Sequence, residues 1–256
     1  MPPKWKVLAD ELAEEITTGR RPVGSPLPHI TDLVTEGRGS KATVSRAYGE
    51  LHARGLVTSR RGHGTVVRDR TRVRVPLSRF DHVLTPGGDR GPWETATAAQ
   101  GLDGRIEVEA PAGELLDAPP AVEEYLALPP GSSAVRRRRR AMLGVEPVAL
   151  QEAWYPPDIA RAAGLDSPEK IKGGALGALV AAGIIPAEAD EHVTSDAPTA
   201  DEAARLGVGT QVSVLRVDRV TRDAAGRPIE LVRLAAAADR VSLLYAPLPL
   251  QVDPTA

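Results

Sequence analysis

The sequence predicts an α+β chain of two domains, a small basic head followed by a larger acidic body built of antiparallel strands and short helices. Three observations carry that prediction. At 256 residues the chain exceeds the usual size of one compact domain. Its charge divides when the chain is cut at Pro76: residues 1–76 carry +6 and the remainder −8, although the whole sums to −2. The apolar period is helical through most of the head and alternates along several segments of the body. A basic head on an acidic body is the asymmetry expected when one domain meets a phosphate polyanion and the other does not.

Composition narrows the function classes. There is no cysteine, which removes disulfide frameworks and thiolate metal sites and suits a cytoplasmic protein. Met1-Pro-Pro-Lys-Trp-Lys6 has none of the apolar character of a signal peptide, and no run of about 18 apolar residues is present to span a bilayer. Histidines His29, His52, His63, His82 and His192 are scattered, without metal-ligand spacing. No nucleophile elbow or phosphate loop accompanies them, so no catalytic residue, metal or cofactor is expected.

In the head, Trp5, Leu8, Ala9, Leu12, Ala13 and Ile16 recur at helical spacing and Gly19 stands where a C-terminal cap belongs. A turn, Arg21-Pro-Val-Gly-Ser-Pro26, leads to a short helix holding Ile30, Leu33 and Val34. A third helix begins at Ser40, whose hydroxyl suits the cap. Val44, Ala47, Tyr48 and Leu51 form its core face, so Ala42, Arg46 and Gly49 lie opposite, flanked by Thr43, Ser45 and Glu50. Small residues at Ala42 and Gly49 let a backbone approach a groove, while Lys41, Thr43, Ser45 and Arg46 supply cationic and hydroxyl donors. Two strands follow, in Gly55–Arg60 and Thr65–Val67, and Arg61-Gly-His-Gly64 between them is a glycine-rich tip suited to phosphates or a minor groove.

These blocks resemble, in order, the winged helix-turn-helix of the GntR family. They are Val23-Gly-Ser-Pro-Leu-Pro28, Ser40-Lys-Ala-Thr-Val-Ser-Arg-Ala47, Leu51-His-Ala-Arg-Gly-Leu56 and Gly62-His-Gly-Thr65. The resemblance implies an operator-contacting set of Thr31, Lys41, Thr43, Ser45, Arg46, His63 and Gly64, to which Ser40, Arg61 and Gly62 are added from the cap and the tip. Two departures stand out. Thr31 occupies the place of a phosphate-contacting arginine, and Ser45 that of a base-reading one. The turn of the motif is also Gly37-Arg-Gly39 rather than Tyr-Gly-Val, so the operator sequence is not borrowed from relatives.

From Asp69 the composition becomes that of a linker, with dense charge to Arg74 and then Thr85-Pro-Gly-Gly88 and Gly91-Pro-Trp93. The expected division is 1–70 DNA-binding, 71–104 linker and 105–256 effector-binding and dimerising. Body strands are expected from Ile106, over Ala134–Met142 and Val148–Trp154, over Ala187–Val193, and as a hairpin from Val212 through Asp223-Ala-Ala-Gly226 to Leu234. Helices are expected over Ala121–Leu128, around Leu176, Leu179 and Val180, and over Thr199–Leu206. The run Arg136-Arg-Arg-Arg-Arg140 falls on a strand, so alternate arginines point to opposite faces. One set faces solvent or acidic neighbours, and the other is able to hold a carboxylate or phosphate.

The body resembles the UTRA domain of HutC-type GntR repressors, a chorismate-lyase-like sheet. The matching blocks are Leu126-Ala-Leu-Pro-Pro-Gly131, the arginine strand, Glu146–Glu152 with Tyr155-Pro156, Ala200–Gly207, and Asp223–Glu230 with Asp239-Arg240. The resemblance implies a small, often anionic effector. Strand parity favours Arg137 and Arg139. An acidic position falls by count on Gln151, with Glu152 beside it; Glu230 and Trp93 complete the candidate set. It also implies a homodimer that places two recognition helices in successive major grooves of a near-palindromic operator and is released by effector. Two alternatives stay open. One is a ligand-independent dimeric repressor, favoured by a sheet face filled with side chains and disfavoured by a cavity with an unpaired Arg137 or Arg139. The other is a lyase-like enzyme; an aminotransferase domain is excluded by length, and after Lys41 the only lysines are Lys170 and Lys172.

Overall fold

The computed structural model describes residues 1–60, 62–76 and 91–245. They form two compact units: residues 1–71 with 195–214 and 237–239, and residues 72–194 with the described parts of 215–236 and 240–256.

The first unit contains helices α1 (Lys4–Thr17), α2 (Ile30–Thr35) and α3 (Lys41–Ala53), then strands β1 (Val57–Arg60) and β2 (Gly64–Val67). Leu8, Ala9 and Leu12 of α1 pack with Leu33 of α2 and with Val44, Ala47, Tyr48 and Leu51 of α3 in one core. Ser40 caps α3 as expected, its Oγ accepting from the Thr43 N–H at 3.2 Å. The hairpin pairs antiparallel from Val57↔Val67 to Arg60↔Gly64. Tyr48 spans the core and donates its hydroxyl to the Pro28 carbonyl at 2.6 Å.

One feature of this unit is absent from local sequence patterns. The segment following α8 (Ala200–Leu206) lies against the C-terminus of α3, where carbonyls have no partner within the helix. Gln211 donates its backbone N–H to the Ala53 carbonyl at 2.9 Å. The approach is so close that a Cβ on Gly209 would stand 1.9 Å from the His52 oxygen. Nearby, the buried Arg68 guanidinium is paired with Asp239, which also draws Arg70 to 3.6 Å.

The second unit is a six-stranded sheet in the order β4-β5-β6-β9-β8-β7. Its strands are β4 (Gly104–Asp117), β5 (Ser133–Leu143), β6 (Glu146–Tyr155), β7 (Pro186–Asp196), β8 (Val214–Asp223) and β9 (Pro228–Ala237). The β4–β5, β5–β6 and β6–β9 ladders are antiparallel. On one face α5 (Pro120–Tyr125) supplies Val122 to a cluster with Ala134, Trp154 and Leu231. On the other face two apolar clusters sit apart. Helices α6 (Pro157–Ala162) and α7 (Gly174–Ala181) cover Val135, Ala153 and Val232. Helix α4 (Pro92–Ala98), with β3 (Val73–Pro76) and β10 (Val241–Leu244), covers Ala141, Ala149 and Ala236.

The described parts of the expected linker are therefore ordered elements. Strand β3 pairs with β10 in parallel, Val73 opposite Val241 and Val75 opposite Leu243, and α4 buries Trp93. Thr85-Pro-Gly-Gly88 lies outside the described residues.

Candidate functional site

The exposed face of α3 carries Lys41, Ala42, Ser45, Arg46 and Gly49, while Val44, Ala47, Tyr48 and Leu51 are buried. Thr43 is half-buried, and its hydroxyl lies 3.0 Å from that of Ser40, so both hydroxyls already serve the helix cap. Thr31 is exposed on α2 and donates to the Asp32 carboxylate at 3.3 Å. Gly62, His63 and Gly64 are exposed at the hairpin tip; Arg61 lies outside the described residues. Among the described residues Arg46 has no hydrogen bond or ion pair, and its guanidinium carbon lies 4.3 Å from the centroid of the Trp5 ring. A ring holds a guanidinium through its face and leaves the in-plane N–H groups free. The result is a preset cation beside small residues, on a helix face with room for a groove.

The alternation of the arginine strand is realised. Arg136, Arg138 and Arg140 stand opposite Glu114, Glu109 and Glu107 of β4 and pair with them across the strands. Arg137 and Arg139 turn to the other face, where a cavity of about 550 Å³ opens between the two apolar clusters. A single row of the sheet crosses its floor: Val108↔Arg139 between β4 and β5, Arg139↔Gln151 between β5 and β6, and Gln151↔Leu234 between β6 and β9.

Arg137 and Arg139 differ in what holds them. The Arg137 guanidinium donates to the backbone carbonyls of Leu165, Ser167 and Glu169, tying the 165–170 loop to the sheet. Burial holds its pKa below the ordinary arginine value. The same loop packs where β4 is irregular, and Gly113 is needed there because it sits at φ +72° and a Cβ would come within 2.6 Å of the Asp166 carbonyl. Arg139, by contrast, has no hydrogen bond or ion pair among the described residues, and its Nε is buried without a partner. The Gln151 amide beside it is likewise unbonded among them.

Glu230 is buried and fully engaged. It accepts from the Tyr155 hydroxyl at 2.7 Å, Arg219 at 2.9 Å and Thr221 at 3.3 Å. Burial, and then the Glu230 charge, push the Tyr155 hydroxyl well above the ordinary tyrosine range. Trp93 lines the cavity and is fixed by donating Nε1 to the Met142 carbonyl at 3.0 Å.

Of the six predicted effector residues, Trp93, Arg137, Arg139, Gln151 and Glu230 meet at this one cavity. Glu152 does not. It faces the opposite side of the sheet and accepts from the Trp154 indole N–H at 2.8 Å, because pairing puts Gln151, not Glu152, beside Arg139. Sequence reasoning missed Arg219, Lys170 and Trp5. Arg219 carries the period-2 parity of β8 and was available to that rule; the Trp5–Arg46 contact joins two helices and has no local signal.

The fold and these two surfaces define a class: a DNA-binding head carried with a ligand-binding sheet domain. Residues 5–67 match the bacterial regulatory proteins of the gntR family and residues 106–242 match the UTRA domain. An HTH-type transcriptional regulator of Streptomyces coelicolor is 34% identical over 232 residues, covering 89% of this chain and 86% of its own. The chain belongs to the GntR family of transcriptional regulators and carries the family's UTRA domain. The mannosyl-D-glycerate transport/metabolism system repressor of Escherichia coli is 28% identical over 157 residues, 60% of this chain and 59% of its own. A solved structure of a GntR-family transcriptional regulator superposes with a TM-score of 0.60 at 26% identity, over 97% of this chain and 98% of that one. These relatives are regulators, not enzymes.

Proposed function

We propose that this chain is a cytoplasmic repressor of the HutC subfamily that binds a near-palindromic operator as a homodimer and releases it when a small effector enters the sheet cavity. The carrying observation is that the cavity floor presents Arg139, whose guanidinium is bonded to no described residue and whose Nε is buried, with the half-buried Gln151 opposite it. A buried donor without a partner costs free energy, and a ligand supplying the acceptor removes that cost. This favours sensing over a domain that serves dimerisation alone. On the head, the exposed α3 face with Lys41, Ser45 and Arg46, together with His63 at the hairpin tip, supports groove and phosphate contact. The repressor named for a mannosyl-D-glycerate system supports the sign of regulation. Effector would lower operator affinity by its differential binding to the two conformations, about 1–3 kcal/mol.

The test is a gel-shift titration with DNA from upstream of the protein's own gene, at two salt concentrations and with unrelated competitor. Specific, salt-sensitive retardation with two-site symmetry in footprinting is the expected result. No specific shift across genomic fragments overturns the reading.

A further inference from the structure

We infer that the cavity takes an amphiphilic monoanion: one carboxylate-sized head on Arg139 and Gln151, and an apolar body lying over Val108, Val217, Leu234 and Val241. This rests on the reading that the cavity is the effector site.

Cations come first. Of the three arginines lining the cavity, Arg137 is committed to three backbone carbonyls and Arg219 to Glu230. Arg139 is the lining guanidinium with no hydrogen bond or ion pair to any described residue, whereas Arg219, whose Nε is likewise buried without a hydrogen bond, is held through its terminal nitrogen by Glu230. Lys170 and Lys172 also line the cavity but are exposed side chains, where water and salt weaken their pull. Glu94 and Glu191 line the same space and oppose a second negative charge, while the Glu230 charge is already met by Arg219. A phosphate dianion would find one uncommitted guanidinium, Arg139, for its two charges. A carboxylate matches the planar guanidinium, and the Gln151 amide N–H lies next to it in the same row.

Neutral hydrogen-bonding groups are next. Among the described lining side chains, Gln151 is the sole neutral one with a free donor or acceptor, since the Trp93 N–H is taken by Met142; no serine, threonine, asparagine, tyrosine or histidine is present. A sugar buries several hydroxyls, and the neutral part of the wall has one side chain, Gln151, to answer them; the other polar groups are charged, and Arg137, Arg219 and Glu230 among them are already engaged. Val75, Ile106, Val108, Val217, Leu234 and Leu243 offer an apolar bed instead. At about 550 Å³ the space exceeds what a head group alone fills.

The experiment is calorimetric titration of the full-length protein with butanoate, hexanoate and octanoate, with octanamide as the uncharged match and glucose 6-phosphate as the sugar dianion. Each pair of methylenes should tighten binding about fifteenfold, from roughly fourfold per buried methylene. Octanamide should bind at least tenfold more weakly than octanoate. Arg139→Gln, with its melting curve recorded to show folding, should abolish the difference between acid and amide, whereas Leu234→Trp should block both by filling the floor. Glucose 6-phosphate binding more tightly than octanoate, yet lost in Leu234→Trp, overturns the ligand class and leaves the site intact. Binding of any probe that survives both substitutions overturns the site. No binding by the whole acid series to folded wild-type protein overturns the ligand class.

Discussion

The Arg46 guanidinium lies over the Trp5 ring, its central carbon 4.3 Å from the centroid, on the face of α3 that the core leaves exposed. The contact fixes a long, rotamer-rich side chain before DNA arrives, so less entropy is lost on binding. Arg46→Ala should weaken operator binding and reduce the slope of log affinity against log salt by about 1 if it neutralises one phosphate, with cooperative unfolding retained and the melting temperature lowered by no more than a few degrees. Trp5→Ala should weaken binding by about 0.5–1 kcal/mol. In the Arg46→Ala background the Trp5 effect should vanish; equal effects in both backgrounds would show that the stack does not serve DNA binding.

Tyr48 links core packing to alkaline stability. Burial pushes its hydroxyl up to about 12 from 10.0, and it donates to the Pro28 carbonyl. Because the folded value is raised, the contribution is fully present below pH 10 and is lost as pH rises toward 12. Urea titrations of wild type and Tyr48→Phe should differ by about 1 kcal/mol at pH 7, with the gap closing between pH 10 and 12. A gap that widens over that range contradicts the assignment.

Asp239 holds the buried Arg68 within the same compact unit. Removing one partner of a buried pair strands the other charge, so Asp239→Ala should destabilise by about 3–5 kcal/mol. Pairing it with Arg68→Met should recover part of that loss, read as the midpoint of urea unfolding. Additive losses would mean the two residues act independently.

Arg137 is expected to organise the cavity rather than bind the effector head, because its guanidinium is spent on Leu165, Ser167 and Glu169 carbonyls. Arg137→Met should raise hydrogen exchange across residues 165–170 and lower thermal stability, while Arg139→Met should leave both nearly unchanged and abolish effector response. The reverse pattern would exchange their roles.

The local chemistry of the chain was enough to place the α3 face and the arginine alternation. Ser40 announces its cap, and Val44, Ala47, Tyr48 and Leu51 fix which side of the helix is left over, because a period of 3.6 is a property of the backbone itself. The same holds for Arg136 to Arg140: once the segment is a strand, parity alone sends Arg137 and Arg139 one way and their neighbours the other.

The sequence by itself therefore determined which side chains share a face and which elements exist where the apolar period is long. Tertiary structure decided what those faces meet. Val73-Arg-Val-Pro76 reads as charged linker because two apolar residues carry no signal until β10 arrives from the far end of the chain. Counting along β6 fell on Gln151 with Glu152 kept beside it, and pairing with β5 sent Glu152 to the opposite face. The difference between Arg137 and Arg139 is invisible to parity and rests on a loop that supplies carbonyls to one guanidinium and leaves the other bare. Periodicity is written in consecutive residues; partnership depends on groups that only the folded chain brings within reach.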